Sequence, residues 1–164
     1  MDKEEILKEI EKTKERLANM KKMLEDCECE RWKPNSCDAY YYIDAFGNVL
    51  SQIETGHSSD SAFWKSYNCF KTREQAETEA EKILVRRQLE DIARRLNKGN
   101  KIDWNNDKQF KYYICIDSRD NEIIWDREVR YISQGIVYCL DMDFCNVAIK
   151  EISEERLKKY LGGE

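Results

Sequence analysis

Hydrophobic positions along this chain recur with two different periods. Over 3–26, Ile6, Ile10, Thr13, Leu17, Met20 and Leu24 stand four, three, four, three and four residues apart, and Leu7 and Met23 widen the stripe. That spacing predicts an amphipathic helix with a heptad seam of about three repeats. Asp2 is placed to cap it, with Glu5 three residues on. Over 39–45 the pattern shortens to that of a strand. Phe46-Gly47-Asn48 is its turn, and 49–54 is the hairpin partner. Alternation puts Tyr40 and Tyr42 on one face and Tyr41 on the other, so at least one of these faces belongs to a core. The polar stretch 55–62 reads as a loop and 63–70 as a third strand. Thr72, with Gln75 three residues later, opens a long helix that buries Ala76, Ala80, Ile83, Leu84, Ile92 and Leu96. Asn97-Lys98-Gly99-Asn100 closes it.

The second half echoes the first. Tyr112-Tyr113-Ile114-Cys115-Ile116-Asp117 matches Tyr40-Tyr41-Tyr42-Ile43-Asp44, and Asp120-Asn121 stands where Gly47-Asn48 stood. Strands are predicted over 111–117, 122–126, 129–133 and 135–140, followed by a helix over 144–152 and a last helix over 154–161. Trp104 anchors the polar connector 101–108. The expected fold is α+β: two pseudo-repeated strand-strand-strand-helix units behind an N-terminal amphipathic, coiled-coil-like helix. The expected units are 1–33, 34–100 and 101–164, with Pro34 turning the chain from helix to sheet.

Charge narrows the classes of partner. The chain has 164 residues, 41% of them apolar and 37% charged, and a net charge of −5. That balance argues against non-specific binding to nucleic acid or to an anionic membrane, which needs a basic footprint. It suits a basic protein partner. No apolar run approaches a membrane span, and Met1-Asp2-Lys3-Glu4-Glu5 does not start a signal peptide. The expected location is therefore the cytoplasm, with the seven cysteines as thiols.

Candidate chemistry is sparse. Cys27, Cys29 and Cys37 lie close together, but the second C-x2-4-C pair of a zinc site is missing, so no metal is expected. Cys69, Cys115, Cys139 and Cys145 read as core thiols. His57 is the single histidine and sits in the polar loop. Asp44 and Asp117 end the two lead strands. An Asp there more often makes an Asx turn than an acid–base pair. No glycine-rich phosphate loop is present. No cofactor and no catalytic residue is expected, and an enzyme is the less favoured class. Around Tyr40 there are almost no interleaved Lys or Arg, so for the strand aromatics, Tyr41, Trp64 and Tyr67 among them, a protein interface outranks nucleic-acid stacking. With Ile6, Ile10, Leu17, Met20 and Leu24 they are the interface candidates, the helical set as a possible homodimer seam.

Four segments carry a family likeness. They are Tyr40-Tyr41-Tyr42-Ile43-Asp44 with Gly47-Asn48, Asn68-Cys69-Phe70-Lys71-Thr72-Arg73-Glu74-Gln75-Ala76-Glu77, Ile102-Asp103-Trp104 with Lys111-Tyr112-Tyr113-Ile114, and Ile152-Ser153-Glu154-Glu155-Arg156-Leu157-Lys158-Lys159-Tyr160-Leu161. Together with Trp32-Lys33-Pro34 after an N-terminal helix, the chain resembles small accessory proteins encoded by phages and prophages of Gram-positive bacteria. The resemblance implies a phage protein in the host cytoplasm that binds and inhibits a host defence effector, with anti-CRISPR action as one form. The alternative expectation is a nucleotide-signal binding protein or hydrolase using His57, Asp44 and Asp117.

Overall fold

The computed structural model describes residues 10–17, 20 and 31–162. The helix expected over 3–26 lies largely outside the described residues, as do Ile6, Leu24, Cys27 and Cys29. Within it, residues 10–17 and Met20 are helical. Ile10, Leu17 and Met20 are all exposed.

The remaining elements are β1 (Ala39–Ile43), β2 (Val49–Ile53), α1 (Ser58–Lys65), α2 (Arg73–Asn97), β3 (Lys111–Asp117), β4 (Glu122–Glu128), α3 (Phe144–Ile152) and α4 (Glu154–Gly162). The fold is α+β. β1 and β2 form one antiparallel two-stranded sheet and β3 and β4 another. Tyr41 stands opposite Ser51 in the first, and Ile114 opposite Trp125 in the second. Among the described residues, no helix is long and apolar enough to cross a membrane.

Both hairpin turns follow from an aspartate. The Asp44 carboxylate accepts hydrogen bonds from Phe46 N and Asn48 N, each at 2.8 Å, and from the Asn48 amide at 3.0 Å. Asp117 accepts from Arg119 N at 3.0 Å. These are Asx turns, in which the short side chain replaces a backbone acceptor. Gly47 supplies the φ of +90° that the first turn needs.

Two expected third strands are absent. Residues 58–65 form α1 instead of a loop leading into a strand over 63–70. The physical reason is a capping box. His57 Nδ1 accepts from Ser59 N at 3.3 Å, and Asp60 accepts from His57 N at 3.0 Å. Phe63 and Trp64 then diverge, with Phe63 stacked on Tyr42 at 4.2 Å and Trp64 donating to Trp32 O at 3.3 Å. In the second half, 129–133 and 135–140 are irregular. The free edge of β3 is met by one residue, Cys139, which exchanges both backbone hydrogen bonds with Tyr112. The first hairpin has the counterpart: Phe70 exchanges both bonds with Tyr41.

The 25-residue helix α2 is the spine, roughly 38 Å long at 1.5 Å per residue. Thr72 caps it, its hydroxyl accepting from Gln75 N, and Lys98 in the left-handed region closes it. Its length lets it touch β1 and β2 as well as α3 and α4. The main core joins Val85, Leu89, Ile92 and Ala93 of α2 to Ile114, Cys139, Phe144, Cys145, Ala148, Ile152 and Leu157. Tyr40, Cys69 and Ala76 are also buried, apart from that core. Leu84, expected in the core face, is 47% exposed. The hydrophobic stripe of α2 is wider than its neighbours cover.

Candidate functional site

The first hairpin is held to its surroundings by one carboxylate. Asp60 is buried, and its two oxygens accept from Tyr40 Oη (2.9 Å), Gln52 Nε2 (2.7 Å), Thr55 N (3.0 Å), Thr55 Oγ1 (3.1 Å) and His57 N (3.0 Å). The backbone N–H of Thr55 is the largest influence on its acidity. These donors hold its pKa down to about 2. Burial, then the hydrogen bond to Asp60, pushes the Tyr40 phenol well above the ordinary tyrosine value. The group joins β1, β2 and the start of α1 in one polar knot.

Asn68 holds the next segment. Its side-chain oxygen accepts from Ile43 N at 2.8 Å and its amide donates to Ile43 O at 2.7 Å. An amide side chain thus mimics a strand neighbour at the end of β1, where α1 leaves no backbone partner. Tyr67, just before it, sits at a φ of +61°. That conformation is costly for a bulky residue and turns the ring outward. Tyr67 is 76% exposed, yet the Arg31 guanidinium stacks on it at 4.1 Å and on Trp64 at 4.8 Å.

These constraints leave an open groove of about 850 Å³ between the tip of the first hairpin and the N-terminal half of α2. Its apolar lining comes from Ile43, Val49, Phe70, Ile83 and Leu84, with Phe46 and Tyr67 at its lip. Phe46 is 89% exposed. Carboxylates of Asp44, Glu77, Glu79 and Glu81 outnumber the guanidinium groups of Arg73 and Arg87 along it. Arg73 bonds Glu77 at 2.7 Å, and Glu81 is held by Arg156 of α4. The hydrogen bonds of its own turn, the Asn48 side chain first, hold Asp44 below the ordinary carboxylate range. Four carboxylates against two guanidinium groups make the lining net acidic. Such a surface can seat an apolar side chain flanked by cations.

The candidates read from the sequence fall in different places. Tyr67 lines the groove. Trp64 does not line it and is stacked with Arg31. Tyr41, half-buried, pairs with Phe70. Ile10, Leu17 and Met20 are exposed on the N-terminal helical stretch. His57, Asp44 and Asp117 are not brought together by any shared hydrogen bond. Each is engaged locally: His57 as the cap of α1, Asp44 in its turn, and Asp117 by a two-pronged contact to the Arg119 side chain. Cys37 is exposed, while Cys69, Cys139 and Cys145 are buried. Among the described residues, no three His, Cys, Asp or Glu side chains converge as metal ligands would.

Sequence reasoning missed the groove, Asp60 and Lys111. A signal existed for Asp60: a capping-box spacing from His57, ahead of Ala62-Phe63-Trp64. Lys111 is fully buried and donates to Asn106 O at 3.2 Å and Val129 O at 2.8 Å, with its ammonium 5.2 Å from the Trp104 ring. Nothing in a strand-initial lysine announces that. The groove had no sequence signal, because it is built from three separated segments. No family model, no curated protein and no solved structure matches this chain.

Proposed function

We propose that this chain is a phage accessory binding protein that inhibits a host defence effector by direct contact in the host cytoplasm, anti-CRISPR action being one such role. The observation that carries the reading is the groove between the first hairpin and α2. Its apolar floor is uncovered, and its lip presents Phe46 and Tyr67, large rings that lose little entropy on binding. Its acidic lining and the chain's net charge of −5 complement a basic surface, such as that of a nucleic-acid-handling effector. The local engagement of His57, Asp44 and Asp117 supports a binding role over one that needs a free base or nucleophile.

The finer architecture belongs to the same reading. Each hairpin carries an Asx turn, a one-residue bridge on its lead strand and a helix soon after the bridge. We take these as two copies of one unit. A superposition of 41–73 on 112–144 in which the helices leave in unrelated directions would end that reading.

The test is affinity capture from a lysate of a Gram-positive host, with wild-type protein and the Leu84→Glu variant side by side. A discrete effector retained by the first and lost by the second is the expected result, followed by loss of that effector's activity on adding wild-type protein. Equal capture by both, or none by either, would reject the groove as the binding surface.

A further inference from the structure

Two apolar surfaces of this chain stand uncovered, and they match. One is the groove beside α2. The other is the N-terminal helical stretch, where Ile10, Leu17 and Met20 are 46%, 53% and 58% exposed. At seven and ten residues from Ile10, Leu17 and Met20 fall on one stripe of a helix. We infer that a second copy of this chain fills the groove with this stripe, and that the exchange is reciprocal.

Charge supports this occupant. Among the described residues of the helical stretch, Lys12, Lys14 and Arg16 outnumber Glu11 and Glu15. The groove lining is net acidic, with Asp44 and Glu79 making no ion pair among the described residues. An amphipathic helix that lays its apolar face into an apolar groove is a recurrent mode of recognition. Among the described residues of one chain both surfaces are open, and a second copy offers each the counterpart it lacks. Two copies related by a twofold axis make the same contact twice, which doubles the apolar area removed from water. This differs from a coiled coil, in which the two stripes would meet each other and leave both grooves empty.

The inference rests on reading the groove as a docking surface for protein, and its test separates the two claims. The full chain is examined by size-exclusion chromatography with light scattering at micromolar concentrations. The samples are wild-type, Leu17→Glu, Leu84→Glu and an equimolar mixture of the two variants. Circular dichroism confirms that each is folded. Wild-type should be a dimer that weakens as salt rises. Each variant alone should be a monomer, since each loses both contacts. The mixture should recover a heterodimer, because the Leu17→Glu chain keeps a good groove and the Leu84→Glu chain keeps a good helix. A monomeric wild-type overturns the inference. So does a Leu84→Glu variant that stays dimeric, which would mean that the stripes meet each other. So does a mixture that remains monomeric. A monomeric wild-type whose host effector is still lost on Leu84→Glu leaves the proposed function standing. A confirmed dimer whose capture is indifferent to Leu84→Glu removes the proposed function instead.

Discussion

The Tyr40 phenol donates to the Asp60 carboxylate at 2.9 Å, and neither residue is accessible to water to a meaningful degree. This bond joins the first strand to the helix that replaces the expected third strand. It requires Tyr40 protonated and Asp60 ionised, which sets a pH window at both ends. Asp60 falls from 3.8 to about 2 on folding. A depressed carboxylate stabilises fully above its unfolded value, and that contribution is lost as pH falls through the folded one, here between about pH 4 and pH 2. Tyr40 is raised, so its contribution is complete below about pH 10 and lost at higher alkalinity. Urea denaturation of wild-type and Asp60→Asn from neutral pH downwards should show wild-type losing stability over the acid window and the variant losing less. Parallel curves would place the linkage elsewhere. At neutral pH, Tyr40→Phe should cost about 1.5–3 kcal/mol, the range for a hydrogen bond to a charged group.

Lys111 is buried, and its ammonium donates to two backbone carbonyls beside a Trp ring. Replacing it with Met keeps the volume, removes the Lys111 donor from Val129 O and leaves Asn106 O with Gln109 N. An acceptor that loses its partner away from water costs about 1–3 kcal/mol. Lys111→Met should therefore destabilise by a few kcal/mol in chemical denaturation. Lys111→Arg should not restore full stability, because a planar fork does not reproduce a compact ammonium. A variant as stable as wild-type would show that Val129 O finds another donor.

Ile92, 1% exposed, sits where α2 meets α3 and the second hairpin. Ile92→Ala should cost about 2–5 kcal/mol, the transfer and cavity cost of a large core deletion. In the monomeric Leu17→Glu background, Leu84→Ala, eight residues earlier on the same helix, should stay within about 0.5 kcal/mol of its parent, as exposed positions usually do. Thermal or urea melts of the pair measure the contrast. Equal losses would mean that Leu84 is covered within a single chain.

Among the described cysteines, Cys37 alone is exposed, whereas burial pushes the Cys69, Cys139 and Cys145 thiols above their ordinary value. The thiolate is the reactive form. Brief alkylation of the native protein followed by peptide mass spectrometry should label Cys37 well ahead of these three, and all four should react together in denaturant. Early labelling of Cys139 would mean that the β3 edge opens readily.

Much of the secondary structure was legible because its causes are local. Asp44 and Asp117 bond backbone within four residues, and Thr72 and Gln75 within three, so their turns and cap follow from neighbours in sequence. The long stripe of α2 and the short one of α3 likewise need no partner to be recognised. The period of 63–70 misled, because Phe63 and Trp64 are adjacent in sequence but serve two different neighbours, Tyr42 and the Arg31–Trp32 segment. A period describes one face, and α1 uses two.

The sequence by itself determined the α+β class, the two hairpins and their turns, and the boundaries of α2 and α3, because side chains a few residues apart satisfy the backbone there. Only the tertiary structure decided that Tyr40 and Asp60 share a buried proton donor and acceptor, that Lys111 is enclosed, and that Leu84 faces open space. Each of these depends on groups brought together across eighteen or more positions. The groove exists because the first hairpin covers only part of the wide stripe on α2. How much of a stripe is covered is a property of the packing, and no periodicity along the chain encodes it.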